Sequence, residues 1–370
     1  MRAIPSLTGL RGVASAWVML FHVCLVAPMV GAGWIVKVGV LSVGWIGVDL
    51  FFVLSGFLLM WTHGADFARP TIAAINRFGF ARILRVYPLS LAVLALIAVI
   101  FWADPSLAAW YRSDRPANLS ASAFVRTALL ATRWVKGDGG EWNEPVWSLS
   151  VELVGYAAFP LLAWLIVGRS QKAAAAIAVA SLAALTVFQF RSGALSIVAI
   201  DQIPALVRMG CCFTAGMAMC RVRQSFSDTT IPHAAEASLV AGLLVAACCH
   251  FDLGLLVEPA AFALLVFFLS FGVGSLDRFL SSRPVMFLGR ISFPLYLVHL
   301  TPLLWLAEHC RNAGVRPVAA SGLLVADVAL CTAAATVLHY LVERPSHRWA
   351  QAQLRPRPAV RLEWASASRP

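Results

Sequence analysis

Charge is scarce in this chain. Asp, Glu, Lys and Arg make up 13% of its 370 residues, against 60% hydrophobic ones, which is about half the charged share of an ordinary globular domain. That balance excludes a soluble protein of this size, and the length excludes one or two membrane spans. Acidic residues are the scarcer sign, 18 against 29 Lys and Arg. The resulting net charge of +11 fits membrane topology and attraction to anionic lipid; no nucleic-acid module accompanies it, so no nucleic-acid partner is expected. Metal and disulfide spacing is missing as well. Six cysteines (Cys24, Cys211, Cys212, Cys220, Cys248 and Cys249) lie in or at the ends of apolar runs without CxxC pairs, as does Cys331, and only Cys310 approaches the outer surface. Neither a disulfide framework nor a metal site is expected. There is no fixed-period repeat, and no low-complexity block beyond QKAAAAIAVA at 171–180.

What is present is a series of apolar runs of spanning length: Thr8–Pro28, Val40–Trp61, Val86–Ala103, Val146–Val167, Ala173–Phe190, Ile203–Cys220, Ala234–Cys249, Leu255–Leu276, Val285–Ala307 and Val318–Val342. Each is near the ~20 residues that cross hydrocarbon, and Ala234–Cys249 is the shortest. The fold expected is all-α, a polytopic integral membrane protein of about ten transmembrane helices. Ten spans put both termini on one side. That side carries nineteen of the Lys and Arg residues and the other side nine, with Arg208 inside a span, so both termini are expected to be cytoplasmic. The first run, with Arg11 at its start and more spans behind it, reads as an uncleaved signal anchor. Residues 1–348 read as one transmembrane domain, and 349–370 as a basic, disordered cytoplasmic tail. Two loops are long, cytoplasmic His63–Arg85 and external Asp104–Glu144. The latter holds the amphipathic SASAFVRTALLATRW, too short and charged to span, which suits the outer interface or the cap of a cavity.

Ionisable residues inside spans are costly, and they mark function more often than accident. Five fall at one inferred depth, three to four residues outward of mid-span: His22, Asp49, Glu152, Arg208 and His299. They come from five different helices, as the lining of a buried polar chamber would. Taken singly, either histidine also fits a hydrogen bond between helices, and each carboxylate a structural ion pair, for instance with Arg208. Tyr296 and Trp147 also fit packing or interface positions. In RGVASAWVMLFH, Arg11 and His22 lie three helical turns and about 20° apart, so they share a face about 16 Å apart along the axis. At the cytoplasmic end, INRFGFARILRVYPLS places Arg82 and Arg85 as helical neighbours, with Arg77 close by. The positive-inside rule alone accounts for an RxxR pair, but with Arg11 at the same face the set suits a ligand with several phosphates.

These residues lie in pieces that resemble, in order, the acyltransferase-3 family of integral-membrane acyltransferases, which includes bacterial polysaccharide O-acetyltransferases. The pieces are TGLRGVASAWVMLFH, GVDLFFVLSGFLL, RFGFARILRVYPL, EPVWSLSVE, RMGCCFTAGM, LGRISFPLYLVH and VERP, spread over nearly the whole chain. The resemblance implies an enzyme of the bacterial inner membrane that moves an acyl group, commonly acetyl, from cytoplasmic acyl-CoA to a hydroxyl of a glycan or other acceptor. Its donor is a substrate, and no permanently bound cofactor is expected. The lipid bilayer, and a second copy of the chain in a homo-oligomer, complete the expected partners. Some members add an extracytoplasmic SGNH-type esterase domain, and here only a short tail follows Arg348.

The residues fit such chemistry. Arg11, Arg82 and Arg85 would bind the phosphates of the donor. His22 would take the proton of the attacking hydroxyl. Asp49 or Glu152 would hold the other imidazole nitrogen. Arg208 would stabilise the oxyanion or neutralise Glu152, and His299, Tyr296 and Arg77 are secondary candidates. The rival class is a proton-coupled membrane transporter, since intramembrane His, Asp, Glu and Arg also build proton relays. No pair of halves with corresponding broken helices supports it. Cysteine labelling from either side of the membrane is expected to place His63–Arg85 inside and Asp104–Glu144 outside; the opposite accessibility would reverse the orientation.

Overall fold

The computed structural model describes residues 4–37, 39–134, 140–192, 202–226, 232–251, 257–313 and 317–354. The main helices are α1 (Pro5–Val26), α2 (Gly47–His63), α3 (Ile72–Ala103), α4 (Val146–Val167), α5 (Gln171–Ser192), α6 (Gln202–Arg223), α7 (Ala234–Phe251), α8 (Glu258–Leu269), α9 (Gly274–Leu280), α10 (Arg283–Val298), α11 (Leu300–Ala313), α12 (Pro317–Leu338) and α13 (Arg344–Leu354). Among the described residues seven helical segments are long and apolar enough to cross a membrane, or up to nine if each of two bent pairs counts as one span. The bent pairs are α8 with α9, at 90°, and α10 with α11, at 54°, and the shorter apolar helix Ala234–His250 accompanies them. Each of the ten apolar runs therefore falls on a helix or a bent pair. The protein is an all-α, multi-pass membrane protein.

The bends have local causes. Pro302, two residues into α11, has no N–H to offer the Val298 carbonyl, so the helix ladder breaks at His299. At the α8–α9 corner Gly272 and Gly274 adopt φ of +70° and +99°, a region that side chains disfavour. α3 begins at Ile72 rather than at Val86, its first turn closed by Thr71, whose side chain accepts from the Ala74 N–H at 3.2 Å. At 32 residues it is about 48 Å long, well beyond the ~30 Å of hydrocarbon, so the Arg77–Arg85 segment has length to stand clear of it. The amphipathic stretch in the external loop forms a helix over Ala121–Ala128 that buries Ala123 and Thr127. It packs on the protein through Phe124, whose ring lies 5.1 Å from that of Trp142. α13 carries the chain six residues past 348, to Leu354; the rest of the expected tail lies outside the described residues.

α2 is the centre of the bundle. It is apolar on all sides, as a fully enclosed helix is, and Phe52, Val53, Leu54, Phe57 and Met60 are buried. Lipid is the natural neighbour of the outer helices, whose exposed residues include Leu91, Leu96, Val99, Leu161, Trp164, Val179 and Val187. α2 meets α6 at two glycines: a Cβ at Gly56 would collide with the Phe213 carbonyl, and one at Gly216 with the Val53 carbonyl. Gly12 and Gly289 play the same part where α1 crosses α10. Gly216→Val is expected to destabilise the protein by about 1–3 kcal/mol or more, because the obstacle is backbone. Gly210→Ala on the same helix, where a Cβ meets nothing, is expected to leave the melting temperature in detergent within a degree or two; equal behaviour of the two variants would refute the close-packing account.

Candidate active site

The five intramembrane residues fall into separate bonded groups. Asp49 on α2 and Arg208 on α6 form a bidentate pair, Nη2 to Oδ2 at 2.7 Å and Nε to Oδ1 at 3.2 Å, with both side chains about 2% exposed. Trp45 and Trp147 lie against the guanidinium at 5.3 and 5.9 Å. Arg208 is thus committed to Asp49 and does not neutralise Glu152. Neither residue lines the main cavity, so the structure favours the ion-pair reading over a part in the chemistry.

His22 is held by another histidine. Its Nδ1 lies 2.9 Å from the Val18 carbonyl and 3.2 Å from Nε2 of the buried His299. Carbonyls only accept, so in the neutral ring Nδ1 carries the hydrogen. The same logic applies to His299, whose Nδ1 lies 2.9 Å from the Tyr296 carbonyl, so that its Nε2 bears a lone pair and shares the single Nδ1 hydrogen of His22 with the nearer Val18 carbonyl. The lone pair of His22 then sits on Nε2, which has no hydrogen-bond partner among the described residues. The imidazole neighbour in the structure is His299, at the broken end of α10, and neither Asp49 nor Glu152 bonds to His22 among the described residues. Glu152 instead accepts from Ser55 at 2.6 Å and from the Tyr156 hydroxyl at 2.8 Å.

A cavity of about 420 Å³ opens between α1, α2, α3, α4 and α10. At its cytoplasmic end, on the expected orientation, stand Arg11, Arg82 and Arg85 with His63; Glu152 and Tyr156 line its wall; Tyr296 and Ser148 lie at its deep end. None of the three arginines has a carboxylate within ion-pairing distance among the described residues. Arg85 donates to Nε2 of His347 at 3.3 Å, while Nε of Arg82 is buried without a partner. Arg77 is exposed and outside the lining. His22 and His299 are outside it too, but the Tyr296 ring lies 6.0 Å from that of His299, and the two histidine rings 4.9 Å apart. Beyond the histidines, the external segment is tied down by Arg133 and Glu141, 2.7 Å apart and largely buried. Burial pushes the Glu141 carboxyl above its usual range, although Arg133 opposes the shift.

Sequence reasoning missed Ser55, Ser148, Tyr156, His347 and Asp327. Tyr156 was within reach of it, one turn from Glu152 on the same helix. Ser148 bonds a residue 148 positions away, which no local spacing announces. Asp327 is buried in α12 with the Cys331 thiol 3.7 Å from Oδ2.

The family profile described as "Acyltransferase domain", acyltransferase-3, matches residues 4–340. The chain belongs to this family. It is 31% identical over 166 residues to Acyltransferase MdmB of Streptomyces mycarofaciens, covering 43% of this chain and 38% of the relative. The putative membrane-bound transacylase BcsY of Komagataeibacter xylinus is 30% identical over 168 residues, 43% of this chain and 36% of the relative. O-acetyltransferase OatA of Staphylococcus aureus is 27% identical over 169 residues, 44% of this chain and 25% of the relative. The matched part spans well under half the length of each of these relatives. No solved structure gives a significant match.

Asp49→Asn strands a buried guanidinium and is expected to cost about 3–5 kcal/mol, read as lost accumulation or a lowered melting temperature. The double variant Asp49→Leu with Arg208→Met is expected to recover much of that loss. A stable but inactive Asp49→Asn would instead move the pair into the chemistry.

Proposed function

We propose that the protein is an O-acyltransferase of the bacterial inner membrane, with both termini cytoplasmic, that carries an acyl group, acetyl in the simplest case, from cytoplasmic acyl-CoA to a hydroxyl of a glycan or other acceptor. One observation carries the reading: a cavity has three arginines without carboxylate partners within ion-pairing distance at one end, and at the other a tyrosine whose ring lies 6.0 Å from that of His299, one of a bonded histidine pair. Uncompensated guanidinium groups are costly to gather unless an anion joins them, and their planar forks match phosphate oxygens. The relatives named acyltransferase and O-acetyltransferase support the same direction of chemistry. The two bent spans favour a transporter less, since they follow one another in the chain rather than occupying matching places in two halves.

The chemistry assigns each group one task. The acceptor oxygen attacks the thioester carbon while Nε2 of His22 takes the hydroxyl proton. As the tetrahedral centre collapses, the C–S bond breaks and the sulfur leaves with its electron pair as the thiolate of CoA, which then takes up a proton. The Val18 carbonyl and Nε2 of His299 share the Nδ1 hydrogen of His22 and keep it in place as the ring becomes an imidazolium, the part a carboxylate plays beside other catalytic histidines. Arg11, Arg82 and Arg85 hold the donor by its phosphates and take no part in the bond changes. The test is His22→Gln, which keeps hydrogen-bonding capacity but cannot take a proton near neutral pH. Acetyl transfer is expected to fall by about 10²–10⁴ while acetyl-CoA binding and melting temperature stay near the parent's. Near-parental transfer would end the assignment.

A further inference from the structure

The deep end of the donor cavity is almost without hydrogen-bond donors. Val48, Phe51, Phe52 and Leu149 make it apolar. The hydroxyl of Ser292 is spent on the Gly289 carbonyl at 2.9 Å, and Ser55 donates to Glu152. Arg208, the sequence-based choice to stabilise an oxyanion, is bound to Asp49 and absent from the lining. What remains is one pair: the Tyr296 hydroxyl and Ser148 Oγ, 2.8 Å apart and both buried.

The direction of that bond follows from its neighbour. Ser148 Oγ also lies 3.1 Å from the Pro145 carbonyl, which can only accept, so the serine hydrogen goes there and the Tyr296 hydroxyl donates to Ser148. The tyrosine hydrogen is thus aimed across the cavity floor and rests on a neutral, exchangeable acceptor. We infer that Tyr296 is the carbonyl-binding residue of the donor site: when an acyl thioester enters, the tyrosine O–H leaves Ser148 for the carbonyl oxygen and strengthens its hold as negative charge develops there in the transition state. No covalent bond to the tyrosine is formed, and its proton stays on its own oxygen. The ligand class is a short acyl thioester, bound at a tyrosine whose ring centroid lies 6.0 Å from that of His299. This assignment rests on the acyl-transfer reading of the site.

The experiment uses the full-length protein in detergent or nanodiscs, with acetyl-CoA carrying a ¹³C-labelled carbonyl. Its infrared band is compared between the parent, Tyr296→Phe and Ser148→Ala. The parent is expected to shift the bound carbonyl to lower frequency than free acetyl-CoA. Tyr296→Phe is expected to lose that shift and to lower kcat by about 10²–10³, with the dissociation constant for CoA, which has no thioester carbonyl, unchanged. Ser148→Ala keeps the tyrosine and is expected to keep the shifted band. A Tyr296→Phe band like the parent's would overturn the assignment, as would a band lost equally in both variants, which is the mark of a purely structural link between α4 and α10. Should Tyr296→Phe fail to fold, an unshifted band in the parent or a lost shift in Ser148→Ala would still overturn it. A parent that shows the shifted band yet transfers nothing to any hydroxyl would sink the transfer reading and leave the carbonyl contact standing; a parent that binds no acetyl-CoA would overturn both.

Discussion

The bidentate bond between Asp49 and Arg208 sets the frame. Moving either charge alone into hydrocarbon costs several kcal/mol even after relaxation, and together they are tolerable only because the geometry satisfies both partners at once. That requirement fixes the height of α2 against α6, and the glycines at positions 56 and 216 let the two backbones come close enough for the side chains to meet. With α2 held in this way, Ser55 faces Glu152 and Phe51 faces Tyr296. The wall of the cavity is therefore built on a helix whose position is pinned by an ion pair outside the cavity lining.

Charge is treated in opposite ways at the two ends of that helix. Near its N-terminal end a guanidinium is neutralised and lies against two tryptophans. Toward its C-terminal end three guanidinium groups stand in the cavity lining with no carboxylate within ion-pairing distance among the described residues, and the acid of that lining, Glu152, is turned to Ser55 and Tyr156. On the proposed reading, an incoming polyphosphate meets a site already charged and oriented, with His347 steadying one fork from α13.

Much of this was legible in the sequence, and the limit of legibility has a physical cause. Hydropathy runs located each span because lipid imposes length and composition directly. Helical spacing placed Arg82 beside Arg85 because both lie on one helix. Depth along each span brought His22, Asp49, Glu152, Arg208 and His299 to one level, yet level is only one coordinate. Which residue faces which depends on the rotation of each helix about its axis, and that is set by packing at Gly12, Gly56, Gly216 and Gly289 rather than by any periodicity of the polar residues. The five therefore sorted into His22 with His299, Asp49 with Arg208, and Glu152 with a serine and a tyrosine, rather than into one chamber. The break at Pro302, which frees the end of α10 and lets His299 turn to the Tyr296 carbonyl, was equally invisible to a count of apolar residues.

The partner of His22 also makes sense in its medium. A carboxylate behind the imidazole would be a permanent charge in hydrocarbon, and keeping it ionised would demand a further cation, as Asp49 demands Arg208. A second neutral histidine orients the first through the same Nδ1–H bond without any standing charge. On the proposed reading, charge then arises only during the reaction, when His22 takes a proton and the thioester oxygen becomes negative. The two appear together and close to one another, where the low dielectric that penalises isolated ions strengthens their mutual attraction. On that reading a neutral resting pair with a transient ion pair is the arrangement that a membrane interior penalises least, while the carboxylates placed at the same depth are bonded elsewhere, Asp49 to Arg208 and Glu152 to Ser55 and Tyr156.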